Sequence, residues 1–332
     1  MPPCSETGGA TASGGLGRAT GGPVVVVAGP TASGKSALAL RIAEELDGTV
    51  INADSMQIYA GIAVLTAQPG TEDLARAPHR LYGVRDPVHA CSVAEWRELA
   101  LNEIAACHAE GRLPVLTGGT GLYLHALRYG LSPIPEIPEA TRAAARALHA
   151  EIGGAALHDR LRERDPQTAA RIRASDPQRL IRAWEVLEAT GRPLVEWQAE
   201  APKGAVDLRF AEVLLLPPRD LLYPACDTRF LKMLDAGALE EVAKLFSRQL
   251  DPALPAMKAV GVPELSALLD GKMSREEAVT RAQQSTRRYA KRQYTWFRHR
   301  MPEALRSDAQ FSERMLPQIL HKIRCRLLTE KD

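Results

Sequence analysis

The stretch Val24–Ser36, VVVVAGPTASGKS, constrains this chain more than any other. Val24–Ala28 is a continuously apolar, β-branched run, the pattern of a strand buried on both faces of a parallel sheet. It passes directly into Gly29, Pro30, Thr31, Ala32, Ser33, Gly34, Lys35 and Ser36, which match G-x-x-x-x-G-K-[ST], and Ala37–Leu46 then reads as a helix. In that setting successive backbone N–H groups and the helix N-terminus face an anion, Lys35 adds a point charge and Ser36 can hold Mg²⁺. By pattern this is a loop of the ATP- and nucleotide-binding kind. Backbone amides read phosphates alone, so the rest of the ligand must be identified from what surrounds it.

The remainder of the chain supplies a sheet around that loop. Thr49–Asp54 reads as a second strand ending in an acid and Leu113–Gly119 as a third, each after a helical stretch. This alternation predicts an α/β fold, a P-loop NTPase-like parallel sheet core flanked by helices, with its ligand at the carboxyl ends of the strands. Between residues 135 and 203 strand signals vanish and "DPQT" and "SDPQ" mark helix starts, which predicts an all-helical insert. Arg209–Pro217 restores a buried-strand pattern, and everything after it reads as helical. The core is thus expected to be discontinuous, 23–134 and 204–332. Residues 1–22 are rich in Gly, Ser, Thr and Ala, lack the apolar core of a secretory signal and are expected to form a disordered tail.

Three features carry chemistry. Asp54 ends a strand beside the phosphate loop, where it is either a base or Mg²⁺ ligand or an ordinary turn residue or helix cap. Thr117-Gly118-Gly119-Thr120-Gly121 leaves the third strand at the same edge, and its glycines either let backbone approach a ligand or simply make a tight turn. Arg281–Arg300 contains Arg281, Arg287, Arg288, Lys291, Arg292, Arg298 and Arg300 without one acid, interleaved with Tyr289, Tyr294, Trp296 and Phe297. The insert adds Arg171, Arg173, Arg179 and Arg182. In a chain whose formal net charge is only +2, two basic surfaces beside a phosphate cleft point to a nucleic acid or another large anion.

Cys4, Cys91, Cys107, Cys226 and Cys325 are odd in number and show no metal or disulfide spacing, which fits a reducing, cytoplasmic setting. The longest apolar runs fall far short of the roughly 20 residues that span a bilayer, so no membrane association is expected. A monomer is the expected state.

The motifs GPTASGKS, ADSMQIY, LTGGTGLY, DPQTAARIRASDPQRLIRAWEV and TRRYAKRQYTWFR follow one another in this order. With them the chain resembles the tRNA dimethylallyltransferases, also called tRNA isopentenyltransferases, from about Val24 to Arg300. The resemblance implies transfer of a dimethylallyl group from dimethylallyl diphosphate to N6 of adenosine 37, beside the tRNA anticodon, with diphosphate released and Mg²⁺ as cofactor. It implies that the loop 29–36 holds the diphosphate, that Lys35 and Arg229 stabilise it as it leaves, that Asp54 is the base, and that Thr120 belongs to the catalytic set. It implies tRNA contacts at Asp54, Ser55, Met56, Gln57, Thr120, Arg142, Gln178, Arg179, Leu180, Ile181 and Arg182, with adenosine 37 flipped out of its stack. The sequence departs from the family pattern at Gln68, at Ala225 and across Val260–Glu264.

Two other readings share the loop. One is a P-loop kinase or adenylate prenyltransferase acting on a free nucleotide, which needs no pair of basic surfaces. The other is an RNA-binding ATPase switch, against which stands the lack of an apolar strand ending in a second acid besides Asp54.

Overall fold

The computed structural model describes residues 21–329. A six-stranded sheet runs in the order β3 (His79–Arg80), β2 (Gly48–Asn52), β4 (Leu113–Gly118), β1 (Pro23–Ala28), β5 (Arg209–Leu215), β6 (Leu305–Ser307). Every pairing in it is parallel. The valine run is its centre, and its side chains alternate between two cores. Val24, Val26 and Ala28 face one hydrophobic cluster, while Val25 and Val27 face the other. Burial on both faces explains why the run is apolar without interruption.

Helices cover both faces. Helix α1 (Lys35–Glu45) follows β1, α2 (Ala63–Thr66) and α3 (Thr71–Arg76) precede β3, and α4 (Val93–Ala109) precedes β4. Then come α5 (Gly121–Tyr129), α6 (Glu139–Arg164), α7 (Pro166–Ala169), α8 (Pro177–Thr190) and α9 (Leu194–Ala199) before β5. After β5 run α10 (Arg219–Asp235), α11 (Ala238–Ser247), α12 (Val262–Leu269) and α13 (Arg275–Arg300), and α14 (Leu316–Thr329) follows β6.

The four helices α6 to α9 enclose a cluster of their own, including Leu157, Leu161, Leu180 and Val186. Both Asp-Pro signals work as helix starts: Asp165 accepts from Thr168 N at 2.9 Å and Asp176 from Arg179 N at 3.2 Å. The two legs of this excursion are joined by paired backbone hydrogen bonds between Leu131 and Lys203.

Two strands escape the sequence reading. His79–Arg80 is only two residues long, and Leu305–Ser307 is a three-residue edge strand in the part expected to be helical throughout. Such short runs carry no periodicity and are fixed by a neighbouring strand instead. The second strand stops at Asn52, so Asp54 lies in the turn beyond it. Gly21 and Gly22 were expected in a disordered tail, yet Gly21 N donates to Asp207 O at 2.6 Å and Gly22 O accepts from Arg209 N at 3.1 Å. The rest of that tail, with Cys4, lies outside the described residues. Cys91, Cys107 and Cys226 are free thiols, and among the described residues no helix is long and apolar enough to cross a membrane.

Candidate active site

The phosphate loop is a backbone device. Ala32 (φ 63°) and Gly34 (φ 88°) take left-handed conformations, which turn successive N–H groups to one side and start α1 at Lys35. A side chain at Gly34 would be strained by that φ, and its Cβ would also lie 2.9 Å from Phe311. The Ser33 hydroxyl is buried in the loop without a hydrogen-bond partner.

One cavity collects eight of the predicted residues: Thr31, Lys35 and Ser36 from the loop, Asp54, Ser55, Met56 and Gln57 after β2, and Arg229 from α10. Arg229 Nη1 donates to Thr31 Oγ1 at 3.0 Å, and Lys35 Nζ donates to the Pro30 carbonyl at 3.3 Å. Burial pushes the Lys35 ammonium down to about 8, and the Arg229 charge adds to that, while Asp54 acts the other way. Arg229 is held below its ordinary value by desolvation against the same pull from Asp54. Two desolvated cations side by side, with one carboxylate nearby, form a site that favours an added polyanion.

Asp54 is fixed by its backbone. Asn52 Oδ1 accepts from Asp54 N at 2.7 Å, and Asn52 Nδ2 donates to Asp54 O at 3.0 Å. The carboxylate accepts from Met56 N at 3.0 Å and remains on the cavity wall. It is the single acid among the lining residues described. Thr120 is placed just behind: its hydroxyl accepts from Ser55 N at 2.9 Å and donates to Ser55 Oγ at 3.1 Å.

The apolar part of the remaining lining had no signal in the sequence, whereas Tyr289 and Arg292 belong to the basic run. Leu65, Phe230, Met233, Ala259 and Val260 join Met56 as an apolar wall, and Lys258, Tyr289 and Arg292 add polar groups. These residues come from four separate segments and meet only in the folded chain. Thus the departing stretch at Val260 borders the cavity, and Glu264 within it holds Gly261 N at 3.2 Å and Ser285 Oγ at 2.6 Å. Gln68, another departure, donates to the Tyr59 carbonyl at 2.7 Å.

The glycines after β4 also make room within the fold. A Cβ on Gly119 would stand 2.0 Å from Gln293 Nε2, and one on Gly121 would stand 2.2 Å from the Trp296 ring. The close approach they permit is that of α13. On that helix Arg281 pairs with Glu277 at 2.5 Å and Arg287 with Asp227 at 2.5 Å, which leaves Arg288, Lys291, Arg292, Arg298 and Arg300 as exposed cations. Phe297 is fully buried, and Tyr294 and Trp296 pack on the core, so these aromatics do not form an outward stacking surface.

On the helical excursion Gln178 and Arg179 are exposed, and Ile181, Arg182 and Arg142 are half-buried. Leu180 is fully buried in the cluster of α6 to α9. Arg142 Nε is buried without a hydrogen-bond partner, and Arg182 leans on Glu185 at 3.4 Å.

The IPP transferase family model matches residues 57–300. The tRNA dimethylallyltransferase of Rhodospirillum centenum is 58% identical over 290 residues, 86% of this chain and 91% of that one. Among solved structures, the tRNA isopentenylpyrophosphate transferase of Bacillus halodurans is 34% identical, with a TM-score of 0.64 over 92% of this chain and 96% of that chain. A eukaryotic dimethylallyltransferase acting on tRNA is 26% identical, with a TM-score of 0.68 over 83% of this chain and 70% of that chain.

Proposed function

The chain belongs to the IPP transferase family, and from that premise we propose that it transfers the dimethylallyl group of dimethylallyl diphosphate to N6 of adenosine 37 in tRNA. The observation that carries this reading is the mixed lining of one cavity. It brings together the phosphate-loop residues Thr31, Lys35 and Ser36 with Arg229, the apolar side chains of Leu65, Phe230, Met233 and Val260, and Asp54. A diphosphate joined to a short hydrocarbon matches both kinds of lining. An ATPase or kinase would need the apolar lining to read a purine, and β4, the neighbour of β1, ends on Thr117–Gly118 rather than on a carboxylate.

In this reading the flipped adenosine presents N6 to Asp54, which accepts its hydrogen bond and then its proton. The allylic C–O bond breaks with its electron pair passing to the diphosphate oxygen, and the N6–carbon bond forms. Lys35, Arg229 and the loop amides meet charge that grows on the leaving group, so they favour the transition state over the ground state. Among the described residues no group of three or more His, Cys, Asp or Glu could hold a metal by itself. Ser36 nevertheless sets a hard oxygen on the cavity wall with Asp54, which suits an Mg²⁺ ion held mainly by phosphates and water. Such an ion, when bound at Ser36, supplies further neutralisation of the diphosphate. The protein acts as a cytoplasmic monomer in this reading, with exposed cations of α13 and the surface of α8 around Gln178 and Arg179 receiving the anticodon stem-loop.

One incubation tests the assignment. Labelled dimethylallyl diphosphate and Mg²⁺ are mixed with the protein and with unmodified tRNA, AMP or no acceptor. Label is expected in tRNA alone, with ATP neither required nor consumed. Labelled AMP, or ATP consumed in step with turnover, would overturn it.

A second expectation concerns salt. Each phosphate neutralised contributes nearly one unit to the log–log slope of affinity against salt. Binding of tRNA should therefore weaken steeply with salt while pyrophosphate binding changes far less, and replacing Arg288 and Lys291 by Gln should lower the tRNA slope by about two units. Filter binding across a salt series reads both. Equal slopes for the two ligands would remove α13 from the tRNA surface.

A further inference from the structure

Gln293 sits in the last third of the 26-residue helix α13 and is only 5% exposed, although Arg292 before it is exposed and Tyr294 after it half-buried. A buried primary amide is costly unless its donor and acceptor are both used. Here Gln293 Oε1 accepts from Thr31 N at 2.8 Å and Gln293 Nε2 donates to the Gly119 carbonyl at 2.9 Å. One carboxamide thus joins the phosphate loop to the turn after β4, segments that lie 262 and 174 residues before it.

Both ends of that link touch reacting groups. Thr31 also receives Arg229 through its hydroxyl. The Gly119 turn backs onto the carboxylate of Asp54, since a Cβ at Gly119 would lie 3.2 Å from Asp54 Oδ2. Tyr289, one turn before Gln293, lines the same cavity as Asp54. Thr120 holds Ser55, next to Asp54.

We propose that Gln293 is a positioning residue for prenyl transfer: its carboxamide sets the separation between the loop that holds the diphosphate and the turn that backs Asp54. It touches neither substrate. It fixes where the departing diphosphate and the base stand relative to each other, and misplacement by about 1 Å can cost on the order of 10²-fold in rate. The side chain meets two requirements, reach and a donor beside an acceptor. Asn has the same groups but is one methylene too short to span both partners, whereas Glu could accept from Thr31 N but has no hydrogen for Gly119 O.

This inference rests on the prenyl-transfer reading, and the wild-type control separates their failures: no product from tRNA with wild-type protein rejects that reading, whatever the variants do. Full-length Gln293→Leu and Gln293→Met, which keep the volume without the amide, and Gln293→Asn are compared by thermal unfolding, by tRNA and pyrophosphate affinity, and by single-turnover and steady-state kinetics. The expected result is a fall in kcat and single-turnover rate of about 10²-fold in all three, with the KM and Kd for tRNA within about 3-fold of wild type. Either folded apolar variant turning over within 3-fold of wild type overturns the proposal. So does a loss of tRNA affinity and Tm in all variants that accounts for the lost rate, since that would make Gln293 a packing residue only.

Discussion

Asp54→Asn is expected to lower kcat by roughly 10²- to 10⁴-fold, the range for removal of a general base, with much smaller changes in KM. The substitution is nearly isosteric. The Asn52 side chain still holds the backbone of residue 54 on both sides, and an amide oxygen can still accept the Met56 N–H that lies 3.0 Å from the carboxylate. What is lost is a group able to take the N6 proton. Single-turnover kinetics with unmodified tRNA and dimethylallyl diphosphate measure that step directly. A near-normal rate would leave Asp54 with the Met56 turn as its whole purpose.

Arg229→Ala should be almost as severe, lowering kcat by roughly 10²- to 10³-fold, as removal of one preorganised donor to a developing oxyanion does. Arg229 adds to its charge a structural hold on Thr31, whose amide is held in turn by Gln293. Arg229→Lys keeps the charge but not the planar fork, so it should recover only part of the rate. Pyrophosphate affinity should fall in the Ala variant, because the anion then loses one of the two desolvated cations beside the loop. The comparison is made by titration calorimetry beside steady-state kinetics. Unchanged kcat in Arg229→Ala would assign leaving-group stabilisation to Lys35 and the loop amides alone.

What the sequence disclosed, and what it hid, follows from how far apart the cooperating residues lie. The phosphate loop is contiguous, so Gly29–Ser36 could be recognised residue by residue, and Val24–Ala28 revealed its two-sided burial through an unbroken apolar run. Asp54 was visible for the same local reason, as an acid just past a strand. The apolar wall is different in kind. Leu65, Phe230, Met233 and Val260 look like any core residues until the fold brings them to one cavity. The basic run of α13 was legible as charge, but not the pairing of Arg287 with an acid, since Asp227 lies 60 residues earlier. Nor could spacing show that the aromatics interleaved with it point inward. Glycines 119 and 121 suggested a ligand's approach, and the structure gives that approach to Gln293 and Trp296.

Parts of the phosphate loop's frame are made long after the loop itself. Phe311 N donates to the Ser33 carbonyl at 3.2 Å, and Gln310 Nε2 donates to the Ala32 carbonyl at 3.0 Å, across 278 residues of chain. At translation rates of about 5–20 residues per second, the ribosome reaches Gln310 roughly 15 to 55 s after Ala32. Through that interval the nascent protein carries a complete G-x-x-x-x-G-K-S motif without the residues that brace it, and the strand edge that β6 will cover stays unpaired on β5. The phosphate loop is therefore fully braced only once Gln310 and Phe311 have been made, and a ribosome stalled before Gln310 holds a loop that lacks this support.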